Sequence, residues 1–227
     1  MTPLLLIPGL GSDEAVWRPV VERLADAAAC TVAETRLDES IAAIAARVLA
    51  SAPPRFALAA ISMGGYVALE IVRQAPERVA RLALFDTSAR PDTPEQSAGR
   101  RAAMAALDRA PLDVLTRHSL PTLVAAEASP EVKDAIVAMG VRVGRAAYVR
   151  QQQANIARAD SRPLLATIAV PTLIAVGEHD TLTPLALAEE LRDGIPGATL
   201  HVIPGAGHLP PIERPDATAA LLRAWLH

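Results

Sequence analysis

The rhythm of apolar runs leaves this chain few folds to choose from. Short, nearly unbroken apolar stretches recur at "LLLIPG" (4–9), "CTVAET" (30–35), "FALAAIS" (56–62), "VARLALFDTS" (79–88), "PTLIAVGEHD" (171–180) and "ATLHVIPGAGH" (198–208). Between and after them lie segments with apolar residues at helical spacing: 16–27, 40–52, 64–76, 184–195 and 215–227. Strands that alternate with helices of this length specify a parallel sheet, because a parallel pair needs a crossover connection. Strands without polar alternation agree, since helices cover both faces of such a sheet. The sequence therefore predicts an α/β fold with a mostly parallel central sheet of about six strands and helices on both faces.

The rhythm fails once. From 89 to 167 there is no strand-like run, only helix-prone stretches such as "EQSAGRRAAMAALDRA" and "EVKDAIVAMGVRVGRAAYVRQQQANIARA". A strand-free stretch of that length in a compact domain reads as a helical insertion rather than a loop. The expected organisation is a core of 1–88 and 168–227 with a helical cap over 89–167. The cap is expected to set substrate range without supplying the chemistry.

Composition removes several classes of function. A formal charge of −3, with the charged residues dispersed, gives no basic surface for nucleic acid or anionic membrane. The single cysteine, Cys30, rules out an internal disulfide and a thiolate metal cluster, and reads as a buried, inert thiol. No apolar stretch is long enough to span a bilayer, and the N-terminus lacks the basic region of a signal peptide. A cytoplasmic protein, monomeric or a small homo-oligomer, with a small-molecule substrate and no cofactor is expected.

Within "ALAAISMGGYVALEIV" (57–72) a strand runs into Ser62, and two glycines and a helix follow at once. That layout holds a serine hydroxyl above the sheet on a tight strand-to-helix turn. Small residues are needed two positions either side, and Ala60 and Gly64 supply them. A plain helix cap is the competing reading. A serine hydroxyl is a poor nucleophile without a base, usually a histidine oriented by a carboxylate. Later strands end in Asp180 and in a glycine-flanked His208, giving the chain order Ser, Asp, His. An open parallel sheet gathers its site at the strands' carboxyl ends, so all three would converge.

The blocks "AISMGGYVALE", "VPTLIAVGEHDTLTP" and "IPGAGHLPPIERP" resemble those of the α/β-hydrolase fold superfamily, nearest to its small bacterial esterase-like and C–C hydrolase-like members. The resemblance runs from about Leu4 to the C-terminus and is weakest across 89–160. It implies Ser62 as nucleophile, His208 as base and Asp180 as the acid that holds it. It also implies an oxyanion hole from the backbone N–H groups of Met63 and, in "IPGLGSDEAVW", of Leu10. Relatives usually carry His-Gly where this chain has Pro8-Gly9, a change that leaves a backbone donor in place. The sheet begins almost at Met1, without the antiparallel hairpin common in relatives.

Other residues admit a role. Asp86, at the end of "RLALFD", could serve as the acid in place of Asp180. Trp17, one helical turn beyond the Leu10 loop, could be core or could wall the substrate pocket. His179, His118, His201 and His227 carry no motif. Glu178, His179, Asp180 and His208 match no metal-site spacing, so no metal is expected. Three classes of function stay open: a serine hydrolase cleaving a small ester or related acyl bond through an acyl-enzyme; the same residues used for C–C cleavage, lyase or acyl-transfer chemistry; and a non-catalytic binding protein.

Overall fold

The computed structural model describes residues 2–227. Six strands, β1 (Thr2–Ile7), β2 (Ala28–Val32), β3 (Phe56–Ile61), β4 (Val79–Phe85), β5 (Thr172–Gly177) and β6 (Thr199–Ile203), form one sheet in the order β2-β1-β3-β4-β5-β6. Every neighbouring pair is parallel. The helices are α1 (Arg18–Arg23), α2 (Ile41–Ser51), α3 (Met63–Gln74), α4 (Pro94–Ala106), α5 (Leu112–Leu123), α6 (Pro130–Ile156), α7 (Arg162–Leu165), α8 (Leu185–Gly194), α9 (Pro210–Glu213) and α10 (Pro215–Leu226). The expected six-stranded parallel sheet is present, with strand ends displaced by a few residues. β2 starts and stops earlier than the apolar run suggests, because its register is fixed by pairing Thr2–Leu6 with Ala28–Val32.

Side-chain alternation divides the core in two. Leu5, Ile7, Leu58, Ala60, Leu82, Leu84, Ile174 and Val176 pack against α2, α3 and α8 on one face. Leu4, Leu6, Ala57, Ala59, Ile61, Phe85 and Leu173 pack against α1 and α10 on the other. Both faces of β3 and β5 are covered, so neither strand carries a polar residue beyond Thr172. A fully buried Leu or Ile contributes about 1.5–3 kcal/mol through such burial. The two layers therefore hold the sheet rigidly beneath its carboxyl edge.

Strand order then creates a crevice. From β1 the chain turns into α1 on one face, and from β3 it turns into α3 on the opposite face. The loops after these adjacent strands diverge, which is where open parallel sheets place their sites.

Between β4 and β5 the chain runs through α4, α5, α6 and α7 without a strand. The long α6 bends at Gly144 (φ 72°, ψ 165°). Its residues Ile136 and Met139 join the core layer on the α1 face, whereas Ala154 joins the layer on the α3 face. The helix therefore passes from one side of the sheet to the other.

Two smaller expectations need correcting. Cys30 is half-buried rather than buried, and that partial burial pushes its thiol pKa up. Trp17 is wholly buried in the core. Its indole N–H donates to the Ile7 carbonyl at 3.1 Å, and its ring meets Phe85 edge-on at 5.8 Å. An indole so satisfied belongs to the packing under the site and not to a pocket wall. No helix among the described residues is long and apolar enough to cross a membrane.

Candidate active site

The turn after β3 explains its own sequence. Ser62 has φ 55° and ψ −120°, a region that a side chain ordinarily avoids. It is held there from both sides: its N–H donates to the Phe85 carbonyl at 3.0 Å, and its carbonyl accepts from Gly65 N–H and the Thr87 hydroxyl at 2.9 and 2.7 Å. Gly64 must be glycine, since a Cβ there would stand 2.5 Å from the Ile7 carbonyl oxygen and 2.7 Å from that of Pro8. The backbones of β1 and α3 approach so closely that only a hydrogen fits. Ser62 is thereby left partly exposed above buried neighbours.

His208 lies in the loop between β6 and α9, and 4% of it is exposed. Its Nε2 stands 2.8 Å from Ser62 Oγ, and its Nδ1 stands 2.9 Å from Asp180 Oδ2. Asp180 sits in the turn after β5. Its Oδ1 accepts the N–H groups of Leu182 and Thr183 at 2.8 and 3.1 Å, and its Oδ2 accepts the Thr183 hydroxyl at 2.5 Å. Burial opposes its ionisation, but the hydrogen bond and charge of His208, and the Thr183 donors, outweigh that and hold its pKa well below the usual carboxylate range. An ionised Asp180 fixes the proton of His208 on Nδ1, leaving Nε2 to accept from Ser62.

Asp86, the other candidate acid, is also here and also buried, with φ 45°. Its Oδ1 accepts Gly177 N–H at 2.7 Å, and its Oδ2 has no partner among the described residues. Burial first, and then the neighbouring Asp180 charge, push its pKa well above the ordinary value. The two carboxyls are thus pushed in opposite directions. Asp86, Asp180 and His208 each offer a ligand atom within 4.8 Å of the others. The facing atoms of Asp180 and His208 are spent on each other, so this cluster favours hydrogen bonding over metal ligation.

The loop after β1 comes close to the serine. A Cβ built on Gly9 would lie 3.3 Å from Ser62 Cβ and 3.9 Å from its Oγ. Leu10 follows in this loop, and Met63 opens α3. Neither backbone N–H donates a hydrogen bond among the described residues. His179 is exposed beside Asp180, and His118, His201 and His227 are exposed elsewhere.

Two residues that the sequence did not single out also shape the site. Glu213, 6% exposed, accepts Gly207 N–H and Leu209 N–H, on either side of His208, and Ala125 N–H beyond α5. Gln151 of α6 accepts Gly11 N–H at 2.9 Å. Glu213 lies inside a quoted block, but nothing in "IERP" shows that its carboxylate turns back onto the histidine loop. Two cavities, of about 120 and 290 Å³, lie apart from Ser62; the larger opens behind the β1 loop, at Pro8, Asp13 and Thr35.

Comparison with known proteins agrees with this architecture. A pimeloyl-[acyl-carrier protein] methyl ester esterase of Edwardsiella ictaluri is 30% identical over 243 residues, 96% of this chain and 91% of that protein. A thermophilic esterase from Thermogutta terrifontis superposes with a TM-score of 0.91 at 30% identity, over 100% of this chain and 89% of its own. An enol-lactonase from Burkholderia xenovorans does so with a TM-score of 0.88 at 26% identity, over 100% and 92%. Residues 4–221 match the family described as "Alpha/beta hydrolase family", and with the sheet and its carboxyl-edge site in place, the chain belongs to that family.

Proposed function

We infer that this protein is a serine hydrolase that cleaves a small ester, or a related acyl bond such as a lactone, through an acyl-enzyme. The observation that carries the reading is the continuous line from Asp180 through His208 to Ser62 Oγ, with contacts of 2.9 and 2.8 Å. His208 Nε2 takes the Ser62 proton as Oγ attacks the carbonyl carbon. The resulting oxyanion faces the N–H groups of Leu10 and Met63. A donor of this kind lowers the barrier by about 2.7–4 kcal/mol. His208 then returns the proton to the departing alkoxide. A water activated by the same nitrogen releases the acid and restores Ser62.

The esterase and enol-lactonase names of the similar proteins support the acyl-bond class. A fluorophosphonate probe should label Ser62, as mapped by peptide mass, and Ser62→Ala should lose the label together with turnover of short p-nitrophenyl esters. A label on another residue, or none in an active sample, would sink the assignment.

A further inference from the structure

The loop between β1 and the first helical turn is a tight turn that its own residues hold weakly. Ser12 N–H closes it onto the Gly9 carbonyl at 3.3 Å, a long bond. Leu10 has a negative φ and Gly11 has φ 67°. Glycine adopts either sign of φ at little cost, so the turn is free to shift.

Gln151 removes that freedom. It is completely buried on α6, 140 residues along the chain. Its Oε1 accepts Gly11 N–H at 2.9 Å, while its Nε2 points to the carbonyl and hydroxyl oxygens of Thr35 at 3.4 and 3.3 Å. The partners settle which end of the amide is which, because Gly11 offers only a donor and the Thr35 carbonyl only an acceptor. If the turn shifted away, or its Leu10–Gly11 peptide turned over, this buried acceptor would lose its donor. Such a loss is costly enough to hold the turn in place. Two neighbours reinforce the seat. Tyr148 packs its ring near Gly11, and Arg142 pairs with the buried Asp13 at 2.5 and 3.0 Å.

We propose that Gln151 is a positioning residue for the oxyanion hole: by holding Gly11 N–H it anchors the loop that carries Leu10 N–H beside Ser62. This rests on the hydrolase reading above. It also gives the helical segment between β4 and β5 a part in the rate, not only in the choice of substrate.

Gln151→Met keeps the length of the side chain and removes all three of its hydrogen bonds. For a short p-nitrophenyl ester, kcat should fall about 10–100-fold, since one misplaced donor costs somewhat less than a deleted one. KM should stay within about twofold, because the donor acts mainly in the transition state. Affinity for phenylboronic acid, whose tetrahedral adduct on Ser62 places an oxygen at the same donors, should fall in parallel with kcat/KM. Gln151→Glu, which keeps the acceptor for Gly11 N–H, should recover part of both losses. A residue that merely packed α6 would alter melting or KM without that parallel. Unchanged kcat in Gln151→Met, or a fall in kcat with unchanged boronate affinity, overturns the proposal. Should Gln151→Met fail to fold, Thr35→Val decides: it removes the hydroxyl, one of the two acceptors of the amide nitrogen, and its kcat and boronate affinity should fall together by a smaller factor, while no change in either overturns the proposal. A wild-type protein that neither turns over the ester nor binds the boronate overturns the hydrolase reading itself.

Discussion

Replacing Asp180 by Asn tests the site at the point where its proton is placed. The four donors around the carboxylate dictate how the amide must lie. Two backbone N–H groups, of Leu182 and Thr183, point at Oδ1. Were the amide nitrogen there, donors would face donors and two hydrogen bonds, one of them buried, would be lost. The nitrogen is therefore forced to the Oδ2 side, against His208 Nδ1 and the Thr183 hydroxyl. Thr183 adapts by rotating its hydroxyl to accept. His208 adapts only by moving its proton to Nε2, where it faces Ser62 Oγ and cannot take a proton from it. A tautomer wrong in this way lowers kcat by about 10⁴, or about 5 kcal/mol of barrier.

The same substitution at Asp86 has a different local consequence. An amide oxygen there keeps the Gly177 N–H bond, and the nitrogen takes the place of Oδ2, which has no partner to lose. Its effect on kcat should stay below about tenfold, since the histidine's partner is untouched. The assay is turnover of a short p-nitrophenyl ester, with circular dichroism to verify folding and imidazole ¹⁵N shifts to report the tautomer. A large loss in Asp86→Asn with a small one in Asp180→Asn would refute the reasoning and make Asp86 the acid.

Two further outcomes follow from the buried carboxylates. Asp86 has a raised pKa in the fold, so its contribution to stability is complete below the ordinary carboxylate pKa of about 4 and is lost as pH rises through the folded value. Asp86→Asn should therefore raise the urea midpoint at pH 7, and the gain should vanish below about pH 4; a gain that grew towards acid pH would contradict the raised pKa. Glu213→Gln should cost about 1–3 kcal/mol in urea unfolding, because an amide nitrogen would face backbone donors in a buried position. It should also lower kcat by loosening both flanks of His208, and full activity would show that the loop is held without it.

What was legible in the sequence is what local chemistry writes into it. The strands were plain because both faces of β3 and β5 are buried, which strips them of polar alternation. The setting of Ser62 was plain because a backbone contact as close as that of Gly64 with Ile7 and Pro8 tolerates one residue type. Asp180 and His208 could be found because strands deliver them to one edge. Trp17 misled for the converse reason. Spacing placed it near the loop, but only the fold shows its N–H spent on the Ile7 carbonyl and its ring against Phe85. Nor could sequence tell that Asp86 and Asp180, 94 positions apart, would be brought together with pKa values shifted in opposite directions. That depends on shared burial, which no single motif records.

The segment between β4 and β5 is where legibility ran out, and the reason bears on how the enzyme works. "YVRQQQAN" reads as the polar side of an exposed helix, yet Gln151 and Gln152 are buried, one against the β1 loop and the other against Tyr148 and Arg100. A buried amide pattern has no periodic signature, because its partners lie on other elements. Those partners are telling. Gly11 N–H goes to Gln151, His208 N–H goes to the Leu123 carbonyl at 3.1 Å, and Ala125 N–H goes to Glu213. The loop that carries Leu10 and the loop that carries His208 are thus each hydrogen-bonded to the segment or to a side chain it shares. A lid free to swing as a unit would have to break these buried bonds at every opening, each at the cost of an unsatisfied group. The physically cheaper motion leaves α6 and the end of α5 in place and opens α4, which has no fully buried residue. We propose that on this partition the outer helix governs access and the helix across the sheet edge serves the chemistry.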